Sequence, residues 1–223
     1  MFDLSRGGVC LLLIDMQNEF LSEKGYFAVH QGWPVAEFAG VTANCRRLLE
    51  AARAGGRSVM YTATGYAPDG SDAYVRCHRI LPTLFLEKDG RPRKPDAAVI
   101  RGSWGAEIID ELRPRPEDYV VHKQLFNAFY QTELEMMLRC RGVNTLIVGG
   151  IITEVCVEST VREAFIRDFD VLEVSDAVGS WSRERHEASL RAVDFSYGRV
   201  IDTGLAVELL RGGAAAQSDK EEK

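Results

Sequence analysis

The chain has 223 residues, of which 46% are hydrophobic and 27% charged, and its formal net charge is −6. That length favours one generous domain with its own core and excludes a disordered or collagen-like chain. The acidic balance argues against a nucleic-acid partner, because neutralising phosphates needs a surplus of Lys and Arg.

Residues 9–15 (VCLLLID) form a continuous apolar run, the pattern of a strand buried on both faces of a parallel sheet. Over 34–54, Phe38, Val41, Cys45, Leu48, Leu49 and Ala52 follow helical spacing, and Gly55–Gly56 provide a stop. Residues 57–64 (RSVMYTAT) read as the second strand. The stretch 65–101 is irregular, with Pro-Asp-Gly at 68–70, and reads as a long surface excursion of the kind that often carries function. The pattern then predicts a short helix over 106–112, a strand over 119–123, a helix over 131–141 and a strand over 145–149. An amphipathic helix over 155–168, a strand over 171–174, a helix over 183–195, a short strand over 199–202 and a last helix to about 210 follow. The alternation predicts an α/β fold: a three-layer, Rossmann-like arrangement of a six-stranded parallel sheet flanked by helices. One domain is expected over 1–211, and the small, polar tail 212–223 is expected to be disordered.

The five cysteines, Cys10, Cys45, Cys77, Cys140 and Cys156, are odd in number and widely spaced, with no C-x-x-C pair. Neither a disulfide framework nor a zinc knuckle is suggested, which fits a reducing compartment. The apolar run 9–14 is far shorter than the ~18–20 residues of a membrane span. It ends at Asp15 with no small-residue cleavage site, so the expected location is the cytoplasm, with no membrane partner. His30, His78, His122 and His186 are scattered without metal-ligand spacing. Gly149–Gly150 brings neither a dinucleotide fingerprint nor a Walker lysine. No metal and no cofactor are expected.

In parallel sheets, ligands bind at the carboxyl ends of strands near the point where strand order reverses. Asp15 follows the first strand, Lys123 the third and Cys156 the fourth. Alone, each has a plainer reading: a turn residue, a solvated charge, a small buried hydrophobe. Together they converge on one crevice. Cys156 follows GGIITEV and is expected in the first turn of a helix, where N–H groups and the positive dipole end stabilise a thiolate. Lys123 would favour the thiolate further, Asp15 could accept the thiol proton, and free N–H groups could hold an oxyanion. Such a set suits acyl transfer. The other cysteines read as structural, including Cys77, because its neighbour His78 would rarely face it. Phe126, Phe129 and Tyr130 serve either as core packing or as a pocket wall.

Three segments, 9–20 (VCLLLIDMQNEF), 121–123 (VHK) and 149–157 (GGIITEVCV), closely resemble the isochorismatase-like cysteine hydrolases. The resemblance runs from about residue 7 to 210. Residues 101–106 (RGSWGA), 123–132 (KQLFNAFYQT) and 156–164 (CVESTVREA) are most similar to the ureidoacrylate amidohydrolase and biuret hydrolase branch. The resemblance implies a triad of Asp15, Lys123 and Cys156 and a cis peptide between Ile151 and Ile152. It also implies an oxyanion hole made by the N–H groups of Ile152 and Cys156. The implied activity is hydrolysis of a C–N bond in a small linear amide or ureido compound through a thioester. Gln17, Phe20, Trp104, Asn127, Tyr130 and Glu154 are the expected pocket lining. Members of the family commonly form homo-oligomers, so a dimer or tetramer is expected.

The chain also departs from the pattern. Glu154 stands where ureidoacrylate hydrolases usually carry Asn, and in this it resembles biuret hydrolases. The second strand ends TATGY, without the metal-binding Asp-x-His of nicotinamidases. The alternative readings are hydrolysis of another small amide, such as an N-carbamoyl amino acid or a nicotinamide-like amide, a non-catalytic metabolite-binding relative, and a redox-sensing cysteine protein.

Overall fold

The computed structural model describes residues 8–68, 71–72 and 99–212. Most of the excursion after the second strand, including Cys77 and His78, lies outside the described residues, as does the tail from 213. Six strands form one parallel sheet: β1 (Gly8–Ile14), β2 (Ser58–Thr64), β3 (Tyr119–Lys123), β4 (Val143–Ile151), β5 (Asp170–Gly179) and β6 (Arg199–Ile201). Their order is β3-β2-β1-β4-β5-β6, so the order reverses between β1 and β4. This is the flanked six-stranded parallel sheet that the alternating pattern predicts.

The apolar run of β1 explains its central place. Val9, Leu11 and Leu13 enter the core cluster that also holds Cys45, Leu48, Leu49 and Ala52 of α3 (Ala39–Ala54) and Leu209 of α7 (Thr203–Leu210). Cys10, Leu12 and Ile14 enter the cluster on the opposite face. There they meet Leu134 and Leu138 of α4 (Leu134–Cys140), Val161 and Ala164 of α5 (Glu158–Ile166) and Val193 of α6 (Arg183–Ser196). A strand covered on both sides has no face left for polar residues.

β1 and β4 also run unusually close at their ends. Gly150 has φ +127°, and a side chain there would place Cβ 2.2 Å from the Ile14 carbonyl oxygen. Only glycine fits this approach. The Ile151–Ile152 peptide bond that follows is cis.

Several predicted elements differ in extent. β4 and β5 extend beyond the predicted 145–149 and 171–174, because pairing with neighbours carries polar positions along with the apolar ones. The helical pattern from 34 begins as a tight 3₁₀ turn, Val35–Phe38, before α3. Two short helices, α1 (Asn18–Leu21) and α2 (Tyr26–Gln31), occupy a stretch that carries no clear periodicity. The helix predicted over 106–112 does not form. Instead 3₁₀ turns at Trp104–Ala106 and Asp110–Leu112 flank an extended piece. Its backbone is engaged elsewhere: Asn18 N–H donates to Glu107 O at 2.9 Å and Ile109 N–H to Met16 O at 3.0 Å. Tertiary pairing here overrides local propensity.

Candidate active site

β1 ends at Asp15, which takes a left-handed backbone (φ 51°) that Asp tolerates better than most residues. β2 runs beside it and supplies two hydroxyls from one face. Thr62 Oγ1 donates to Asp15 Oδ1 at 2.7 Å and Thr64 Oγ1 to Asp15 Oδ2 at 3.2 Å. From the end of β3, Lys123 Nζ donates to Asp15 Oδ2 at 2.6 Å, to Thr64 Oγ1 at 2.9 Å and to Leu125 O at 3.1 Å. The same ammonium stands 3.6 Å from Cys156 Sγ. Asp15 and Lys123 are both fully buried, so their charges face each other across little intervening solvent.

Burial by itself would lower the Lys123 ammonium, but the Asp15 carboxylate and the Cys156 sulfur outweigh it and hold its pKa above the ordinary lysine value. For Cys156, burial pushes the thiol up; Lys123 pulls it down, while the Asp15 carboxylate, which accepts its hydrogen bond, pushes it up again. These surroundings favour the thiol over the thiolate expected from a helix start. Desolvation wins over the nearby ammonium. The Asp15 carboxylate lies within hydrogen-bonding reach of the sulfur and can accept its proton.

The local winding at Cys156 also differs from expectation. Thr153–Val157 forms a wide π-type turn, with Val157 N–H reaching back to Ile152 O at 3.2 Å, and the regular helix α5 starts only at Glu158. Cys10 and Cys45, read as structural, are fully buried, and burial pushes both thiols up to about 12. Among the described residues, no group of three or more His, Cys, Asp or Glu converges in a way that could hold a metal ion.

The predicted lining residues take different places. Gln17 is fully buried with both ends of its amide engaged. Nε2 donates to Thr64 O and Ala106 O, each at 2.8 Å, and Oε1 accepts from Thr64 N–H at 2.9 Å. It locks the segment after β1 to β2. Phe20 stacks on Phe27 at 5.1 Å within an aromatic layer that continues through Trp33 to Trp181. Asn127 organises the turn after β3, its Oδ1 accepting from Phe129 N–H at 2.7 Å. Tyr130 is half-exposed beside it. Trp104, also half-exposed, lines a groove of about 900 Å³ with Leu21, Phe38 and Arg46, and neither Asp15, Lys123 nor Cys156 borders that groove. Glu154 Oε1 accepts from Ser180 Oγ at 2.9 Å, while its Oε2 is buried without a hydrogen-bond partner among the described residues.

Sequence reasoning passed over Thr62 and Thr64. Their signal is two hydroxyls at i and i+2 in an otherwise apolar strand, on the face that period-2 alternation makes common.

Residues 9–204 match the isochorismatase domain. The chain is 33% identical over 198 residues to a ureidoacrylate amidohydrolase of Acinetobacter baylyi, a match covering 86% of this chain and 80% of the relative. It is likewise 33% identical to a ureidoacrylate amidohydrolase of Methylorubrum extorquens over 86% of this chain and 78% of that one. In structure it resembles a cysteine hydrolase from Pseudomonas syringae pv. phaseolicola, with a TM-score of 0.79 and 26% identity over 94% of each chain. It also resembles an N-carbamoylsarcosine amidase from Thermoplasma acidophilum, with a TM-score of 0.69 and 27% identity over 88% of this chain and 96% of that one.

Proposed function

The chain belongs to the isochorismatase family, and on that premise we propose that it is a cysteine amidohydrolase cleaving a C–N bond of a small linear amide or ureido compound. One observation carries this reading: a buried carboxylate and ammonium 2.6 Å apart, with a thiol 3.6 Å from the ammonium, at the point where strand order reverses. Asp15 takes the thiol proton as Cys156 Sγ attacks the substrate carbonyl, and the N–H groups of Ile152 and Cys156 receive the resulting oxyanion. Asp15 then returns the proton to the departing ammonia or amine, leaving a thioester on Cys156. Water, deprotonated by Asp15, attacks the thioester, and the proton goes back to sulfur as the acid product leaves. Lys123 keeps Asp15 oriented and offsets the negative charge carried in turn by carboxylate, sulfur and oxyanion.

Two relatives support the ureido class, since both ureidoacrylate and N-carbamoylsarcosine carry a carbamoyl group on nitrogen. We place the enzyme in the cytoplasm as a homo-oligomer. Among the described residues, no helix is long and apolar enough to cross a membrane. The test is ammonia release from a panel of ureido and amide compounds. Wild type is expected to turn over at least one ureido compound and Cys156→Ala none. Equal turnover by the variant would remove Cys156 as nucleophile.

A further inference from the structure

The turn that carries Cys156 is held by contacts to α6 and to the segment before it. Thr153, fully buried, directly follows Ile152. Its Oγ1 lies 2.9 Å from His186 Nδ1, and its carbonyl accepts from Ser189 Oγ at 3.4 Å. His186 and Ser189 stand three residues apart on α6, hence on one face of it. One residue further along the turn, Glu154 is tied to Ser180. Ser180 Oγ in turn accepts from Ser182 N–H at 3.0 Å, where α6 begins.

Burial holds the His186 imidazole below its usual pKa, against the pull of the Glu154 and Glu187 carboxylates. That direction favours the neutral ring, in which Nδ1 pairs with the Thr153 hydroxyl as acceptor or as donor according to the tautomer.

We propose that His186 is a positioning residue: through Thr153 it fixes the turn whose Ile152 and Cys156 N–H groups receive the oxyanion. The inference rests on the cysteine-hydrolase reading. Oxyanion donors act only at hydrogen-bond distance from where the charge develops, and a shift of about 1 Å in such a site costs on the order of 100-fold. Loss of the His186 bond frees the hydroxyl end of Thr153, next to one donor and three residues from the other.

Two reactions of the same sulfur separate this role from a general loss of structure. With 4-nitrophenyl acetate, Sγ attacks the carbonyl carbon, its proton passes to Asp15, and 4-nitrophenolate leaves an acetylated sulfur behind. That path needs the oxyanion donors. With iodoacetamide, Sγ displaces iodide at a saturated carbon and its proton is lost to the same base. No oxyanion forms. Both rates are to be measured on the full chain for wild type, Cys156→Ala, His186→Ala, His186→Asn, Thr153→Val and the His186→Ala/Thr153→Val pair.

His186→Ala should slow acylation about tenfold or more while alkylation changes less than about threefold. His186→Asn, whose amide oxygen can occupy the place of Nδ1, should recover most of the loss and keeps the test valid should the alanine variant fold poorly. Thr153→Val should match His186→Ala, and the pair should be no slower than either alone. Equal slowing of both reactions, an Asn variant as slow as Ala, or additive losses in the pair would overturn the role of His186 and leave the nucleophile standing. Wild type without acylation, or acylation that survives Cys156→Ala, would instead overturn the cysteine-hydrolase reading and this inference with it.

Discussion

Two carboxyl groups are fully buried in the same sheet and meet opposite surroundings. Asp15, at the end of β1, has both oxygens occupied: Thr62 on one, Thr64 and Lys123 on the other. Glu173 lies within β5, paired in register with Val148 and Val200, and among the described residues neither of its oxygens has a hydrogen-bond partner. A buried carboxylate persists when donors and a cation replace its water; otherwise it keeps its proton. Burial pushes the Glu173 carboxyl up to about 8, and the Glu158 carboxylate on α5 adds to this. Burial alone therefore does not mark a functional acid. Position at the carboxyl end of the strands, where neighbouring strands deliver partners, distinguishes Asp15 from its mid-strand counterpart.

Replacing each carboxyl in turn tests that contrast most severely. Asp15→Asn deprives Cys156 of its proton acceptor and should lower kcat by about 10²–10⁴, while Glu173→Leu should leave kcat within about twofold, since the residue touches none of the reacting groups. Steady-state kinetics on the ureido compound turned over best decides it. Similar losses in both variants would erase the distinction between paired and unpaired acid.

Next in size is stability. Lys123→Met leaves the Asp15 carboxylate buried without its cation, and urea unfolding at pH 7 should show a loss of about 3–5 kcal/mol. A loss under about 1 kcal/mol would mean that the two threonines suffice to hold the charge.

The smallest effect concerns the pH dependence of Glu173. Its folded carboxyl titrates at about 8 and its unfolded one near 4.5, so the folded state binds the extra proton between those values. Stability that is fully present below pH 4.5 should then decline as pH rises and level off once pH has passed 8. The decline amounts to a few kcal/mol, each tenfold in proton affinity being worth about 1.4 kcal/mol. Glu173→Leu should remove this slope between pH 6 and 9 in thermal melts. An unchanged slope would place the titrating group elsewhere.

The central strands were readable because each carries an apolar run, and burial on both faces favours that composition. Asp15, Lys123 and Cys156 were readable as a set because Asp15 follows such a run, Lys123 closes one and Cys156 comes a few residues after another. The helix expected over 106–112 was not, since its Ile109 N–H donates to Met16 O and its Glu107 carbonyl accepts from Asn18 N–H, partners that only chain pairing reveals. Gln17 illustrates a similar limit. Its place after Asp15 suggests a pocket residue, but both ends of its amide are spent on backbone groups of Thr64 and Ala106. His186, dismissed as scattered by its spacing, lies 33 positions from Thr153 and touches it.

The sequence by itself determined the class of fold and pointed to the three residues of the proposed site, because hydrophobic periodicity and strand-end position are local properties of the chain. Tertiary structure alone decided the burial of Cys156 beside Lys123, the support of Asp15 by β2 and the hold of α6 on the turn that carries Cys156. Those depend on which groups are desolvated and which meet across the sheet, and side chains far apart in sequence supply both.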